Sequence, residues 1–311
     1  MQPTMSNYPN GFNGGVLVRG MPLLNMYAKN VLWVDSTSGV TGKGEYKRPF
    51  TTLQAANDAA DSDDTVIIKP GHTETITGVG GLTFDVPGLS VYALGQRSRR
   101  ARFLMDGANT VTAAVTGAGV SLHNIQFAAG HADVATCFNV QANGFGLFGC
   151  GFSENITAEN FLGIVTSGSA TDNLADGMTL NGNKWISLDA AALNFLAHTG
   201  HLDDLEVVGN IVVLKGGTNS ALIKSTAGDL FRGASILGNF LQHAMTANEL
   251  LVNNDGSTNS GVIAHNRVRH ADVTTTHDLG IDALGCSLFD NLSTSVDNLS
   301  GFVLPAIDSN G

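Results

Sequence analysis

The sequence predicts an all-β protein: a single right-handed parallel β-helix of about nine coils with a short N-terminal capping helix. Three observations predict it. A seven-residue pattern returns once per coil, residues tolerant of left-handed backbone recur two places after its aliphatic centre, and the composition is glycine-rich and charge-poor. Glycine is 38 of 311 residues and charged residues are 14 %. Tight turns need the first, and stacked short strands tolerate the second.

The pattern runs through 119–125, 144–150, 177–183, 204–210, 233–239, 260–266 and 285–291. Its centre, Leu122, Leu147, Leu180, Val207, Ile236, Ile263 and Leu288, is always aliphatic, as an inward-facing stack requires, and Val91 and Ile67 extend it backwards. Successive centres lie 25 to 33 residues apart, which suits several short strands joined by bends. Two places on stand Asn124, Gly149, Gly182, Gly209, Gly238, His265 and Asp290, the residue types that best accept positive φ. The next column holds Asn183, Asn210, Asn239, Asn266 and Asn291, after Ile125 and Cys150 in the first two coils. Stacked asparagines at one bend can hydrogen-bond along the stack, so these five are the expected structural ladder. A second series shares the phase: 111–115, 136–140, 160–164, 194–198, 220–224, 248–252 and 277–281.

Before the coils, residues 52–60 (Thr-Leu-Gln-Ala-Ala-Asn-Asp-Ala-Ala) have helical spacing and composition, and a helix there covers an open strand edge. Residues 31–35 read as a strand laid on that cap. This divides the chain into an extended arm at 1–24, a cap region at 25–60, the β-helix at 61–300 and a tail at 301–311. The arm is polar and flexible, with Phe12, Leu17, Leu23 and Leu24 as spaced apolar anchors and Arg19 as a lone cation. Two readings fit equally, a frayed terminus or an arm that orders against a partner; in the second, these five are the expected partner-binding residues.

A formal charge of -11 argues against nucleic acid, whose phosphates call for clustered cations. No apolar run of the ~18 residues needed to span a bilayer is present, so no membrane contact is expected. Three cysteines, Cys137, Cys150 and Cys286, are odd in number and sit among apolar residues, as buried free thiols do. No classical signal peptide is visible at the start, and synthesis in a reducing cytoplasm is expected.

Residues 42–56 (Gly-Lys-Gly-Glu-Tyr-Lys-Arg-Pro-Phe-Thr-Thr-Leu-Gln-Ala-Ala), followed by 64–71 (Asp-Thr-Val-Ile-Ile-Lys-Pro-Gly), resemble the start of pectate-lyase-like right-handed β-helix proteins. The whole chain, including residues 10–12 (Asn-Gly-Phe) and 71–75 (Gly-His-Thr-Glu-Thr), looks like phage virion proteins of that class, and the resemblance covers roughly residues 30 to 300. The resemblance implies a virion structural or decoration protein, assembled in the host cytoplasm. It further implies a homotrimer that binds the major capsid protein or other virion subunits through arm and rod flank. The alternative is a tailspike-type enzyme that binds or cleaves a bacterial surface polysaccharide.

The residues favour the first. Asp203, Asp204 and Glu206 form the densest acidic set, without a basic residue at the matching place in the adjoining coils, and a solvated turn explains them better than a calcium site of ~6 oxygen ligands. His198, His201, His265, His270 and His277 invite a metal reading, but His265 belongs to the bend column. The basic run 98–102 suits a salt bridge to an acidic neighbouring chain. Aromatic platforms for sugar are scarce, with two Trp and four Tyr. No catalytic residue, metal ligand or cofactor is assigned.

Overall fold

The computed structural model describes residues 16–18, 21–23, 30–156, 158–168, 174–187, 189, 191–215, 221–225, 229–243, 250–253, 259–270, 281–282 and 285–294. The chain is an all-β, right-handed-type parallel solenoid with almost no helix. Three sheets run along it, of ten, nine and eight strands. The first runs from Val31–Val34 through Ser121–His123 to Ser287–Phe289, the second from Thr73–Thr77 to Leu292–Thr294, and the third from Leu82–Phe84 to Ile281–Asp282. Each strand pairs in parallel with its counterpart one coil away. Seven successive turns, between Thr65 and Asn253, give a strand to all three sheets.

The core lies along the axis. Val91, Leu122, Leu147, Leu180, Val207, Ile236 and Ile263 are paired in register and fully buried. Because strand side chains alternate, their neighbours face out. One step back, the column is held by Val66 and not by Ile67: Val66 pairs with Val91, while Ile67 pairs with Tyr92 on the outer face. The run Val66-Ile67-Ile68 is apolar throughout, so its phase is not written in an alternation.

The second series does supply the third sheet, with four of its segments shifted in register; 248–252 and 277–281 each move two places, since Ala221 pairs with Leu250 and Val252 with Ile281. Phe138 pairs with Val165, which moves 160–164 three places, and His198 pairs with Ser225, which moves 220–224 one place. Asn160 is used otherwise: its amide carbonyl accepts from Asp133 N–H at 3.0 Å and its Nδ2 donates to the Asp133 carboxylate at 3.1 Å. That bend consumes residues the alignment gave to a strand.

The Leu53–Ala59 helix starts on Thr52, whose hydroxyl accepts from Ala55 N–H, and on Glu74, which accepts from Leu53 N–H at 2.8 Å. It packs against Val31–Val34, Thr65–Ile68 and Leu82–Phe84. Buried Asn57 donates to Thr83 O at 2.9 Å. Val31–Val34 does not lie on the helix as a separate layer; it pairs with Thr65–Ile68 as the terminal strand of the first sheet. Upstream, Val16–Val18 and Met21–Leu23 form a two-stranded antiparallel pair.

Candidate functional site

The bend leaving the first sheet carries the densest polar organisation of the described residues. Asn124, Gly149, Gly182, Gly209, Gly238, His265 and Asp290 all have φ between 57° and 64°. This left-handed turn points the following side chain back into the rod. Asn183, Asn210, Asn239 and Asn266 are fully buried there, with Asn291 partly so.

The five asparagines form a directional ladder. In each of the first four, Nδ2 and the backbone N–H donate to Oδ1 of the next asparagine, at 2.9 to 3.1 Å. The same Nδ2 also donates to a carbonyl of the aliphatic column one coil below: Leu147, Leu180, Val207 and Ile236, and Ile263 from Asn291. Cys150 begins the ladder. Its N–H donates to Asn183 Oδ1 at 2.8 Å, and its Sγ sits 3.7 Å from Leu122 O, where an asparagine would place Nδ2. Burial pushes the Cys150 thiol up to about 11, so it stays protonated and able to donate. Cys137 is likewise buried and its thiol is pushed well up by burial.

Arg100 braces the same corner from outside. Its Nε donates to Asn124 O at 3.0 Å and its Nη2 to Gly149 O, joining two successive bends. The run 98–102 therefore spends one of its cations on backbone carbonyls of this chain, and Arg102 spends another on Asn155 Oδ1 at 2.7 Å. At the opposite corner Asp63, Gly88, Gly119, Gly144, Gly177, Asp204 and Gly233 are all left-handed. This glycine column was legible in the repeat as its first residue. Its close stacking explains it, since a Cβ on Gly144 would meet Gly119 Cα at 3.3 Å.

The carboxylates of the acidic set do not converge. Asp203 faces Arg232, its register partner on the next coil, with Nη1 and Oδ2 3.8 Å apart, so a cation does occupy the matching place. The sequence reading missed it because Leu230–Arg232 is an extra strand outside the aligned pattern. Asp203 N–H takes Asp176 Oδ1 at 2.9 Å; Asp204 makes the left-handed bend; Glu206 opens the next strand and is exposed. Of the histidines, His277 and the side chain of His270 lie outside the described residues, and the others do not gather. His198 is buried inside the third sheet between Ser167 and Ser225, and His265 sits at the outer bend 3.3 Å from Asp290. Buried His72 accepts from Ser36 N–H at Nδ1, which leaves Nε2–H to donate to Glu74 at 3.1 Å. Among the described residues no three His, Cys, Asp or Glu side chains are grouped to hold a metal ion.

On the outer face of the first sheet, Tyr92, His123 and Phe148 stack with ring centroids 4.3 and 4.6 Å apart. Their faces cover one another along the rod axis, whereas a sugar needs an open ring face. Gly146 makes room for Phe148: a Cβ there would lie 2.4 Å from the ring. Burial brings the His123 imidazole down to about 4.

Of the expected partner-binding residues, Phe12, Arg19 and Leu24 lie outside the described residues. Leu17 and Leu23 fall in the antiparallel pair, in register with Pro22 and Val16, and their side chains lie outside the description. No family model and no curated protein matches the chain. Among solved structures, a rhamnogalacturonan lyase matches with TM-score 0.40 and 12 % identity, over 84 % of this chain and 87 % of that one. Nothing about activity is transferred at that likeness.

Proposed function

We propose that this chain is a non-enzymatic structural protein of a phage particle, a rigid rod of about nine coils capped by its short helix, which decorates the capsid and binds other virion subunits. The phage assignment rests on the sequence resemblance of the whole chain, including residues 10–12 and 71–75, while residues 42–56 and 64–71 carry the likeness to the β-helix superfamily. The non-enzymatic part rests on one observation: the organised polar groups are spent on holding the coils. The buried asparagines satisfy one another, Arg100 braces two bends, and the His72 and Glu74 pair anchors Ser36 and the helix start. A catalytic pair needs polar groups aimed at a substrate and left free for it.

Two measurements test this. A reconstruction of purified particles should place the rod on the capsid exterior; location on the tail tip would overturn the assignment. Incubation with capsular or lipopolysaccharide material should release neither reducing ends nor unsaturated sugars, and either product would establish the polysaccharide-cleaving alternative.

A further inference from the structure

Four Asp-Gly or Asn-Gly pairs lie among the described residues: Asp106-Gly107, Asn143-Gly144, Asp176-Gly177 and Asn181-Gly182. In such a pair the glycine amide nitrogen can attack the preceding side-chain carbonyl carbon and close a five-membered ring, because glycine has no Cβ to shield it. The outcome depends on what the N–H is already bonded to and on how near that carbon lies.

In three of the pairs the fold withholds the nitrogen. Gly144 N–H donates to Asp176 O at 2.7 Å, Gly177 N–H to Asp203 O at 2.8 Å and Gly182 N–H to Val208 O at 2.9 Å. Each acceptor belongs to the next coil, so the bond is part of the stack. Two of the side chains are occupied as well: Asn143 Oδ1 accepts from Asp176 N–H at 3.1 Å, and Asp176 Oδ1 accepts from Asp203 N–H at 2.9 Å.

Gly107 differs. The ladder to the next coil stops at Gly130 N–H on Met105 O, at 2.7 Å, and Gly107 N–H turns instead to Oδ1 of Asp106 itself, at 2.6 Å. The carboxyl carbon is one bond from that oxygen, which sets nitrogen and carbon near the ~3 to 3.5 Å of a near-attack pair. Gly107 is exposed with φ 98° and Asp106 is half-buried, so water reaches both. The segment that follows is held, with Val111 N–H on Ala108 O at 3.2 Å and Ala135 N–H on Asn109 O at 2.8 Å. The close approach is therefore fixed by the fold.

We propose that Asp106 is a self-modification site, where the chain closes a succinimide with Gly107 and reopens it as an isoaspartyl link. The Gly107 nitrogen gives up its proton and bonds to Asp106 Cγ, and one carboxyl oxygen departs as water. Hydrolysis returns one water to the ring. Opening at the former main-chain carbonyl leaves the backbone running through Cγ, with no change of mass and nothing oxidised or reduced. Water is the only co-reactant. The link adds one carbon to the main chain at the last residue of Arg102–Asp106, so Asp106 loses its register with Thr77 and the end of that strand pair loosens. This chemistry goes beyond the structural role proposed above and does not depend on it.

Prolonged incubation of the full-length protein in heavy-oxygen water at neutral pH, followed by digestion and mass analysis of the peptides, tests it. Each ring opening installs one heavy oxygen. In the folded protein, label should accumulate at Asp106 at least ~10-fold faster than at Asp176. In urea, where both Asp-Gly pairs lose their surroundings, the two rates should converge. Asp106→Glu, which would need a larger ring, should take up no label at that position while keeping the circular dichroism of the wild type. An unlabelled Asp106, equal labelling of Asp106 and Asp176 in the folded protein, or a preference for Asp106 that persists in urea would each overturn the proposal. In the last case the selectivity would come from local sequence and not from the fold.

Discussion

Asn239 Nδ2 and its backbone N–H both donate to Asn266 Oδ1, each at 2.9 Å, while Asn239 Oδ1 receives the same pair of bonds from Asn210. One side chain thus ties together three coils, and a third partner, Val207 O, uses the remaining amide hydrogen at 2.8 Å. Replacing Asn239 with Leu strands Asn210 N–H and one Asn210 amide hydrogen in a dry interior. At ~1 to 3 kcal/mol for each unpaired buried group, the variant should lose at least ~2 kcal/mol. Asn291→Leu, at the partly exposed end of the ladder, should lose less. Chemical denaturation of both measures the difference, and equal losses would show that the ladder does not work as a chain.

His198 should make the rod acid-sensitive. Burial holds its imidazole down to about 4, with the charge of Asp229 and the Gly200 backbone pulling weakly the other way. An unfolded histidine titrates near 6.5, so the folded state binds fewer protons between these values. The contribution is fully present above about 6.5 and lost as the pH falls towards 4, by ~3 kcal/mol in all. In the inward column Val115 and Val140 occupy the equivalent place on earlier coils, so His198→Val fits the pattern there. That variant should show a flatter stability profile between pH 7 and pH 4.5 in urea melts. A profile parallel to that of the wild type would locate the acid sensitivity elsewhere.

Much of this was legible in the sequence, for physical reasons that also mark where legibility stopped. A column whose side chain must be inward or left-handed on every coil repeats its chemistry, so Leu122 to Leu288 and Asn124 to Asp290 could be aligned by eye. The asparagines were visible because an amide is both donor and acceptor, and a ladder needs one in each coil. Cys150 showed position but not role, since the thiol's bond to Leu122 O has no counterpart in composition. Ile67 was placed in the core because three adjacent apolar residues carry no phase. The closure of residues 42–49 by Gly42 N–H to Pro49 O and the pairing of Asp203 with Arg232 lie in segments without a repeat, and only tertiary placement reveals them.

The bend column separates conformational strain from crowding. Gly149 has φ 58° and nothing within 4 Å of the position a Cβ would take, so Gly149→Ala costs backbone strain alone, ~1 to 2 kcal/mol. Gly149→Asn should cost less, because Asn124 already occupies the equivalent bend at φ 58°. Gly146→Ala should fail differently. Its Cβ would intrude on the Phe148 ring and displace it from His123, which near-ultraviolet circular dichroism would register. Equal melting of the two Gly149 variants would show that the left-handed bend does not discriminate among side chains.

Residues 1–24 should act as a docking arm that the rod does not need for folding. Among the described residues the buried core begins at Val34, and the contacts from Asp35 to Lys69 and from Glu74 to Leu53 hold the first coils without the arm. Four apolar anchors, Phe12, Leu17, Leu23 and Leu24, spaced along polar backbone are too few to make a core alone, yet each can fill a pocket on a partner. Arg19 adds a charge-assisted hydrogen bond to a carboxylate there. Truncation before Asn25 should therefore leave a soluble, β-rich protein that melts within a few degrees of the full chain but no longer rebinds particles lacking it. If the truncated rod rebinds unimpaired, the arm is not the attachment point and the contact lies on the rod flank. If it fails to fold, the arm belongs to the solenoid.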